Sequence, residues 1–277
     1  MSSSERAEHR VRADGTGTAE RRARGDGTGS AVRQVRRDRL GPGTTVRSVR
    51  VGTGGGPQVV LLPGLGAVGY LMRTADACAA RGGTLRLLDV PGFGDRAAPP
   101  FPATIEALAD VTADWLATVP EGPVVLAGHS TGAQIALHAA LRVPDRVRAL
   151  VLLGLTFPPA ARDAGALLGA FTRTALHEAP SVLPHVLPYY ARGGPRRLAR
   201  LVRSAQRDAP ERLLPAVSCA TVVVGGRHDA IAPPAWIGHA ARRAPRGRAL
   251  VLPGAHSFPF TQPARTAEVL VRAGLRT

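Results

Sequence analysis

The sequence predicts an α/β protein with a mostly parallel, doubly wound sheet and an inserted helical cap. Short apolar runs alternate along the chain with helix-forming stretches, which is typical of parallel strands covered on both faces. One of these runs passes directly into a helix through two glycines that flank a serine. With 277 residues, 44% of them hydrophobic, the chain is long enough for one large domain with an insertion.

The strands and helices follow from apolar periodicity. Residues 45–51 alternate in polarity and predict an edge strand. Thr104 is a suitable N-cap for a helix over residues 104–119. The predicted apolar strands are residues 58–62, 85–88, 124–127, 149–153, 221–224 and 249–252, of which 58–62 and 124–127 are predicted to be buried. The other predicted helices of the core lie near residues 70–81, 133–141 and 266–272.

Composition divides the chain into three kinds of segment. Residues 1–40 are rich in Arg and Gly with almost no bulky apolar side chain, and we predict a disordered tail. Residues 41–155 and 216–277 carry the strand–helix alternation and are the predicted core. Residues 156–215 contain apolar helical stretches and prolines but no strand-like run, so they are the predicted cap.

The formal net charge of +16 comes from arginine alone, since the chain has no lysine. The excess is spread along the sequence and aromatic residues are only 4%, which argues against a nucleic-acid partner. Within residues 196–207, five arginines surround an apolar helical stripe. They form either a solvated basic face or a surface that steers an anionic substrate.

The cysteine content and hydropathy predict the cellular compartment of the protein. Cys78 and Cys219 are far apart and lack metal-type spacing, which favours a reducing, cytoplasmic location and no bound metal. No run of 18 apolar residues suggests a membrane span, and no apolar segment follows Arg21 and Arg22 as an export signal requires. We expect a small-molecule substrate, no cofactor, no membrane partner, and a monomer or homodimer.

The turn after residues 124–127 is the strongest functional signal. Gly128 and Gly132 flank Ser130, and a sharp strand-to-helix turn needs small residues at both positions. Ser130 would stand at the apex as a nucleophile, next to the helix amides that stabilise negative charge. His129, beside it, is predicted to be a packing residue or pocket wall.

A serine hydroxyl needs a base, and the base needs an orienting acid. Asp229 follows the strand at 221–224 and His256 follows the strand at 249–252, so both would meet Ser130 at one edge of the sheet. We predict Ser130 as nucleophile, His256 as base and Asp229 as acid. The backbone amides of Leu65 and Thr131 would form the oxyanion hole.

Two competing hypotheses remain from the residues themselves. Gly64, Gly66 and Gly69 match a dinucleotide-binding GxGxxG after a strand, with Asp89 closing the next strand, although Pro63 removes an amide donor there. That alternative predicts an oxidoreductase. A catalytically silent small-molecule-binding protein is the other. Asp163 is a weaker candidate for the catalytic acid.

Taken together, the motifs at residues 63–66, 89–94, 128–132, 225–229 and 254–256 resemble those of serine-dependent α/β-hydrolase fold enzymes with a cap, similar to esterases, lactonases and C–C hydrolases. The resemblance implies a carboxylesterase-like enzyme that cleaves an ester, thioester, lactone or activated C–C bond. Haloalkane dehalogenases and epoxide hydrolases carry aspartate where this chain has Ser130, which argues against their chemistry. The family often has a histidine before the glycine of the oxyanion loop, and this chain has Pro63 there.

Overall fold

A single sheet organises the part of the chain that the computed structural model describes, which is residues 32–89, 91–94, 99 and 101–275. Within those residues eight strands hydrogen-bond in the order β1-β2-β4-β3-β5-β6-β7-β8. The strands are β1 (Arg33–Gly41), β2 (Thr44–Val51), β3 (Gln58–Leu62), β4 (Thr84–Asp89), β5 (Val124–His129), β6 (Val147–Leu153), β7 (Ala220–Gly226) and β8 (Gly247–Leu252).

Helices connect the parallel strands and cover the sheet. The α-helices in the described residues are α1 (Met72–Ala79), α2 (Ile105–Thr118), α3 (Thr131–Arg142), α4 (Ala164–Ala175), α5 (Leu183–Arg207), α6 (Pro210–Leu213), α7 (Pro234–Arg243), α8 (Phe258–Thr261) and α9 (Pro263–Leu275). The Thr104 side chain caps α2 by accepting a hydrogen bond from the amide of Ala107, as the sequence predicts.

The direction of the strands fixes where a site can form. From β4 through β8 all neighbouring pairs are parallel, whereas β1 and β2 pair antiparallel with each other and β2 pairs antiparallel with β4. The carboxyl ends of β3, β5, β6, β7 and β8 therefore meet at one edge of the sheet. The chain order reverses between β3 and β5, where ligand crevices open in such sheets.

The core lies on both faces of the sheet, because successive side chains of a strand point to opposite faces. Val60 of β3 packs with Trp115 of α2 on one face, and its neighbour Leu61 packs with Leu270 of α9 on the other. All four side chains are 0 or 1% exposed. Both core layers are thus built from the apolar runs, and the predicted α/β class with a mostly parallel sheet is confirmed.

The predicted tail ends too late in the sequence. Residues 33–40, assigned to a disordered tail, form most of β1, and residues 1–31 lie outside the described residues. Asp38 of β1 is 6% exposed and accepts a hydrogen bond from Trp115 Nε1 at 2.9 Å. Strand β1 is ordered by its backbone hydrogen bonds to β2 and by this buried contact. The prediction relied on apolar content, which β1 lacks, and therefore assigned these residues to the tail. Because β1 covers it, β2 is an inner strand and not the predicted edge.

Residues 156–215 form a helical insertion between β6 and β7, with no strand among them. Its longest helix, α5, is interrupted at Gly194, where φ is 73° and ψ is 158°. A Cβ atom at Gly69 would lie 2.6 Å from the carbonyl oxygen of His185, so α5 packs directly on the chain that follows β3. In the described residues, no helix has both the length and the apolarity needed to cross a membrane.

Candidate active site

The turn between β5 and α3 has the strained geometry that the sequence predicts. Ser130 stands at its apex with φ 58° and ψ −125°, a conformation that non-glycine residues rarely adopt. A Cβ atom at Gly128 would lie 2.0 Å from the carbonyl oxygen of Gly132, and one at Gly132 would lie 2.6 Å from that of Leu62. Only glycine fits at either position, so these two residues make the turn possible.

The turn leaves the serine as its accessible residue. The amide of Ser130 donates to the carbonyl oxygen of Leu153 at 2.9 Å, which anchors the apex to the end of β6. His129 and Thr131 on either side are 3 and 2% exposed, whereas Ser130 is partly exposed. The Ser130 hydroxyl is therefore presented at the carboxyl edge of the sheet beside the first turn of α3, whose amides lack intrahelical acceptors.

Asp229 and His256 form a close pair at the ends of β7 and β8. His256 Nδ1 lies 2.7 Å from Asp229 Oδ2. The other carboxylate oxygen, Oδ1, accepts from the amides of Ile231 and Ala232 at 2.9 Å each. With its side chain fully buried and both oxygens bonded, Asp229 has one fixed orientation, and it fixes the imidazole in turn.

The two charges of the pair stabilise each other against burial. Burial disfavours the charged form of each side chain, but the Asp229 carboxylate outweighs this and raises the pKa of His256 above its usual value. Burial likewise opposes ionisation of Asp229, yet the charge and hydrogen bond of His256 and the amide of Ala232 lower the pKa of its carboxyl group. At neutral pH, Asp229 is a carboxylate.

His129 brings the Asp229–His256 pair next to the turn. Its ring centroid lies 4.8 Å from that of His256, and its Nε2 lies 2.9 Å from the backbone carbonyl oxygen of His256. A Cβ atom at Gly154 would lie 3.2 Å from His256 Cε1 and 3.3 Å from His129 Nε2, so β6 ends against both rings. Ser130 follows His129 directly in the chain, and its hydroxyl forms no hydrogen bond with another described residue.

His129 is one link in a chain of buried hydrogen bonds that begins with Tyr70. The Gly64 amide donates to Tyr70 Oη at 2.9 Å, and that hydroxyl lies 2.6 Å from His129 Nδ1. Burial and the neighbouring His256 lower the pKa of His129 to about 3, so the ring is neutral. Its Nε2 faces a carbonyl oxygen and must carry the proton, so Tyr70 donates to Nδ1. Burial also raises the pKa of Tyr70 and keeps this hydroxyl protonated.

Of the two roles predicted for His129, a packing residue or a pocket wall, this arrangement favours the packing residue. The side chain is 3% exposed and both ring nitrogens are hydrogen-bonded, so it faces no open pocket. It connects the loop after β3 with the loop that carries His256. Sequence reasoning missed Tyr70 entirely, because nothing in its local pattern signals a partner 59 positions away.

The predicted oxyanion hole is only partly open. The Leu65 amide, expected to be free, donates to Thr131 Oγ1 at 2.9 Å. Leu65 itself has a positive φ of 44°, and the adjacent Gly64 packs against Ser130, where a Cβ atom would lie 2.8 Å from Ser130 Cβ. The amide is therefore beside the serine, as predicted, but a hydroxyl group occupies it.

Comparison with known proteins decides the family. Residues 59–269 match the alpha/beta hydrolase family. The chain belongs to this family. The predicted superfamily and enzyme class, an α/β-hydrolase-type hydrolase, are thereby confirmed.

Individual relatives of this α/β hydrolase are esterases. It is 33% identical to a pimeloyl-[acyl-carrier protein] methyl ester esterase of Neisseria meningitidis, over 67% of this chain and 66% of that protein, which is just under two thirds of its length. The structure of a malate-bound thermophilic esterase from Thermogutta terrifontis superposes with a TM-score of 0.66 at 26% identity, covering 84% of this chain and 94% of the other. An Exiguobacterium antarcticum esterase shares the fold, with a TM-score of 0.69 at 19% identity, covering 83 and 96% of the two chains.

Among the described residues, Asp89 and the glycine-rich loop after β3 do not fit the alternative dinucleotide hypothesis. Asp89 is 2% exposed, and one of its oxygens lies 2.7 Å from Arg47 Nη1, so it is not available to a ribose hydroxyl. The space beside Gly66 is filled by Phe93, whose side chain would lie 2.3 Å from a Cβ atom at that position. Gly69 faces α5 in the same way. These residues shape the loop and its packing.

The remaining candidates have structural roles. Asp163, the weaker candidate for the acid, caps α4 by accepting from the amide of Ala166 at 2.8 Å. The ring of His228, next to Asp229 in the chain, stacks on that of His177 with centroids 4.7 Å apart.

Proposed function

We propose that this α/β hydrolase cleaves a carboxylic ester, or a related thioester or lactone, through an acyl intermediate on Ser130. The observation that supports this most directly is the 2.7 Å contact between His256 Nδ1 and Asp229 Oδ2 beside the strained Ser130 turn. A buried carboxylate that orients an imidazole next to a presented serine matches the requirements of acyl transfer. The esterase relatives support the same reaction class.

His256 would act as the base because of its tautomer. Its Nδ1 proton is directed to the Asp229 carboxylate, so Nε2 carries the free lone pair. In acylation, Ser130 Oγ forms a bond to the acyl carbon while its proton passes to His256 Nε2. The imidazolium then protonates the leaving alcohol as the ester C–O bond breaks. Water completes the cycle by the reverse sequence and releases the acid.

Leu65 and Thr131 would hold the oxyanion after a local exchange. The Thr131 amide lies in the first turn of α3, where backbone amides have no intrahelical acceptor and the helix dipole favours negative charge. The Leu65 amide is hydrogen-bonded to Thr131 Oγ1 in the free protein, and a developing oxyanion is a stronger acceptor than a hydroxyl group. We propose that substrate oxygen replaces Thr131 Oγ1 at this amide as negative charge develops.

The helical insertion would act as the cap over the site. Glu178 in the insertion accepts a hydrogen bond from the amide of Ser257 at 2.7 Å, directly after the catalytic histidine. His185 of α5 lies against Gly69, in the loop that contains Leu65. The insertion therefore contacts the chain on both sides of Ser130, which is where residues that select the acyl and alcohol groups must lie.

The α5 arginines favour an anionic ester as substrate. Arg196, Arg200, Arg203 and Arg207 are spaced as one helical face, are exposed, and form no ion pair with another described residue. They line an open groove of about 870 Å³, to which α2 contributes one carboxylate, that of Glu106. One relative is named for an ester carried on acyl-carrier protein, so a charged carrier group on the substrate is consistent with this surface.

The decisive experiment is covalent labelling with a fluorophosphonate probe, read by mass spectrometry, beside turnover of p-nitrophenyl esters. We expect labelling at Ser130 in the wild-type protein and none in Ser130→Ala. Ser181→Ala, at an exposed serine of the insertion, is the matched control and should label normally. A folded wild-type protein that neither labels nor turns over esters would instead be a catalytically silent binding protein.

A further inference from the structure

The end of α4 in the helical insertion contacts both loops that carry the candidate catalytic pair. Thr174 is 2% exposed, and its Oγ1 accepts a hydrogen bond from the amide of Ala230, in the loop after β7, at 3.0 Å. Four residues later, Glu178 Oε1 accepts from the amide of Ser257, in the loop after β8, at 2.7 Å. These are the loops of the proposed acid and the proposed base, so one short stretch of the insertion is bonded to both.

Glu178 also brings a negative charge to this contact. The chain has 36 arginines against 20 acidic residues, yet the Glu178 carboxylate forms no ion pair with another described residue. A neutral acceptor is enough to bond a loop amide, as Thr174 Oγ1 does at Ala230. Anchoring the insertion to the loop after β8 therefore requires an acceptor at this position, but it does not require a carboxylate.

Three ionisable side chains surround His256, each from a different element. Asp229 follows β7, His129 is the last residue of β5, and Glu178 follows α4. Burial lowers the pKa of His256, but the Asp229 carboxylate outweighs this and the Glu178 carboxylate adds to the rise. The ring of His129 is neutral. Asp229 and Glu178 are thus the groups whose negative charge stabilises a protonated His256.

We propose that Glu178 is a positioning residue for the reaction at Ser130, acting through His256. The proposal rests on the proposed function, because it concerns the imidazolium that forms when His256 Nε2 takes the serine proton. In that step Asp229 holds Nδ1, while Glu178 fixes the following residue and supplies a second negative charge. That charge stabilises the imidazolium more than the neutral ring, so it lowers the barrier to acylation. The insertion thereby takes part in catalysis besides covering the site.

The test compares Glu178→Gln with Glu178→Ala in the full-length protein. Glutamine keeps an oxygen that accepts from the Ser257 amide and removes only the charge, whereas alanine removes both. The protonation of His256 is followed by NMR through the Cε1 proton of its ring, which is assigned by its loss in His256→Ala. This titration requires no substrate. We expect a lower pKa of His256 in both variants than in the wild type, with less loss of thermal stability in Glu178→Gln than in Glu178→Ala.

Turnover of p-nitrophenyl acetate gives the second measurement. Because the neutral imidazole is the base, the acid limb of kcat/KM should move to lower pH in Glu178→Gln, and kcat should fall severalfold with little change in KM. Glu121→Gln makes the same change at an exposed residue before the amino end of β5, at the opposite edge of the sheet from Ser130, and should match the wild type in both measurements.

The two ways in which the proposal can fail give different results. If the wild type labels at Ser130 but the His256 titration of Glu178→Gln coincides with that of the wild type, Glu178 only anchors the insertion and the proposal is wrong. Failure of the proposed function appears in the wild type itself, as a folded protein with neither labelling nor turnover, and it overturns this role as well.

Discussion

The parallel and antiparallel parts of the sheet use polar residues in different ways. In β3, β5 and β6, the residues in the middle of each strand are apolar on both faces. The groups of the candidate site come from the last residue of β5, His129, and from Ser130 directly after it. In β2 and β4 the polar residues Ser48, Arg50 and Arg86 lie within the strands, on one face. The parallel strands place reactive groups together at their carboxyl ends. The antiparallel strands instead place charged side chains within the strands, on one face of the sheet.

The difference follows from strand direction. Parallel neighbours bring their carboxyl ends together, so residues far apart in sequence, such as Ser130 and Asp229, meet wherever those ends lie. Antiparallel neighbours instead align particular residues side by side, so the strand register determines which side chains are adjacent. Groups at the ends of parallel strands can be located from the order of the strands. Side chains that are adjacent within antiparallel strands can be located only when the register is known.

Loss of the base should give the largest effect. In His256→Ala, no group remains to accept the Ser130 proton, so we expect ester turnover to fall on the order of 10⁴-fold or more. The buried Asp229 loses its partner, so the unfolding temperature should fall as well, and turnover is compared at a temperature where the variant is folded. Steady-state kinetics with p-nitrophenyl acetate measures this. His239→Ala, on α7, serves as control, since its ring stacks on Trp236 outside the site. Wild-type turnover in His256→Ala would reject the assigned mechanism.

Asp229→Asn should come next, with a diagnostic change in pH dependence. Asp229 raises the pKa of His256, and the reaction needs the neutral imidazole, so wild-type kcat/KM should fall as pH drops through a value above 6.5. Without the carboxylate this limb should move to lower pH, while kcat falls on the order of 10³- to 10⁴-fold. A limb that stays at the same pH in the variant would show that another group controls it.

The sequence predicted the parallel part well for a physical reason. Each of the six predicted apolar strands lies within an observed one, and for the inner strands burial on both faces explains the continuous apolar residues. The sixth, β8, is an edge strand, and its residues 249–251 are exposed although they are apolar. The Gly128–Gly132 spacing reports a steric requirement, so it indicated the turn around Ser130 directly. The triad as a working unit stays a prediction, since no described hydrogen bond joins Ser130 to His256.

What the sequence could not show depends on partners distant along the chain. Strand β1 is ordered by pairing with β2, although its residues are mostly polar. The Tyr70–His129 bond and the occupation of the Leu65 amide by Thr131 depend on side-chain direction across the fold. Neither leaves a periodic trace in the sequence, and both lie in the region where apolar patterning otherwise predicted the structure correctly.

A smaller effect is expected from Tyr70→Phe, which tests the hydrogen bond between Tyr70 and His129. The substitution leaves the Gly64 amide and His129 Nδ1 without partners, so we expect a loss of about 1–3 kcal/mol in unfolding free energy. It also loosens the loop that holds Leu65, so kcat should fall about tenfold with little change in KM. Tyr190→Phe is the control, because its hydroxyl forms no hydrogen bond with a described residue. A purely structural role would lower stability and leave kcat unchanged.

The arginine face of α5 should affect substrate capture only. We expect the triple variant Arg196→Gln/Arg200→Gln/Arg203→Gln to raise KM for a succinate-type anionic ester severalfold at low salt, with kcat unchanged. The effect should vanish near 1 M salt, where the screening length is about 3 Å. A neutral ester of equal size is the internal control. An equal rise in KM for both esters would mean that the arginines shape the groove and do not steer charge.

The smallest effect on catalysis is expected from Arg86→Gln, and it tests the separation of the two regions. Arg86 lies three residues before the carboxyl end of β4 at Asp89, roughly 10 Å along the strand from the edge that carries the site. Its guanidinium contacts no residue of the proposed triad, so kcat/KM for p-nitrophenyl acetate should stay within about twofold of wild type. If ester turnover falls well beyond twofold while the variant stays folded, Arg86 and the catalytic edge are coupled, and the division of the sheet into two independent regions fails.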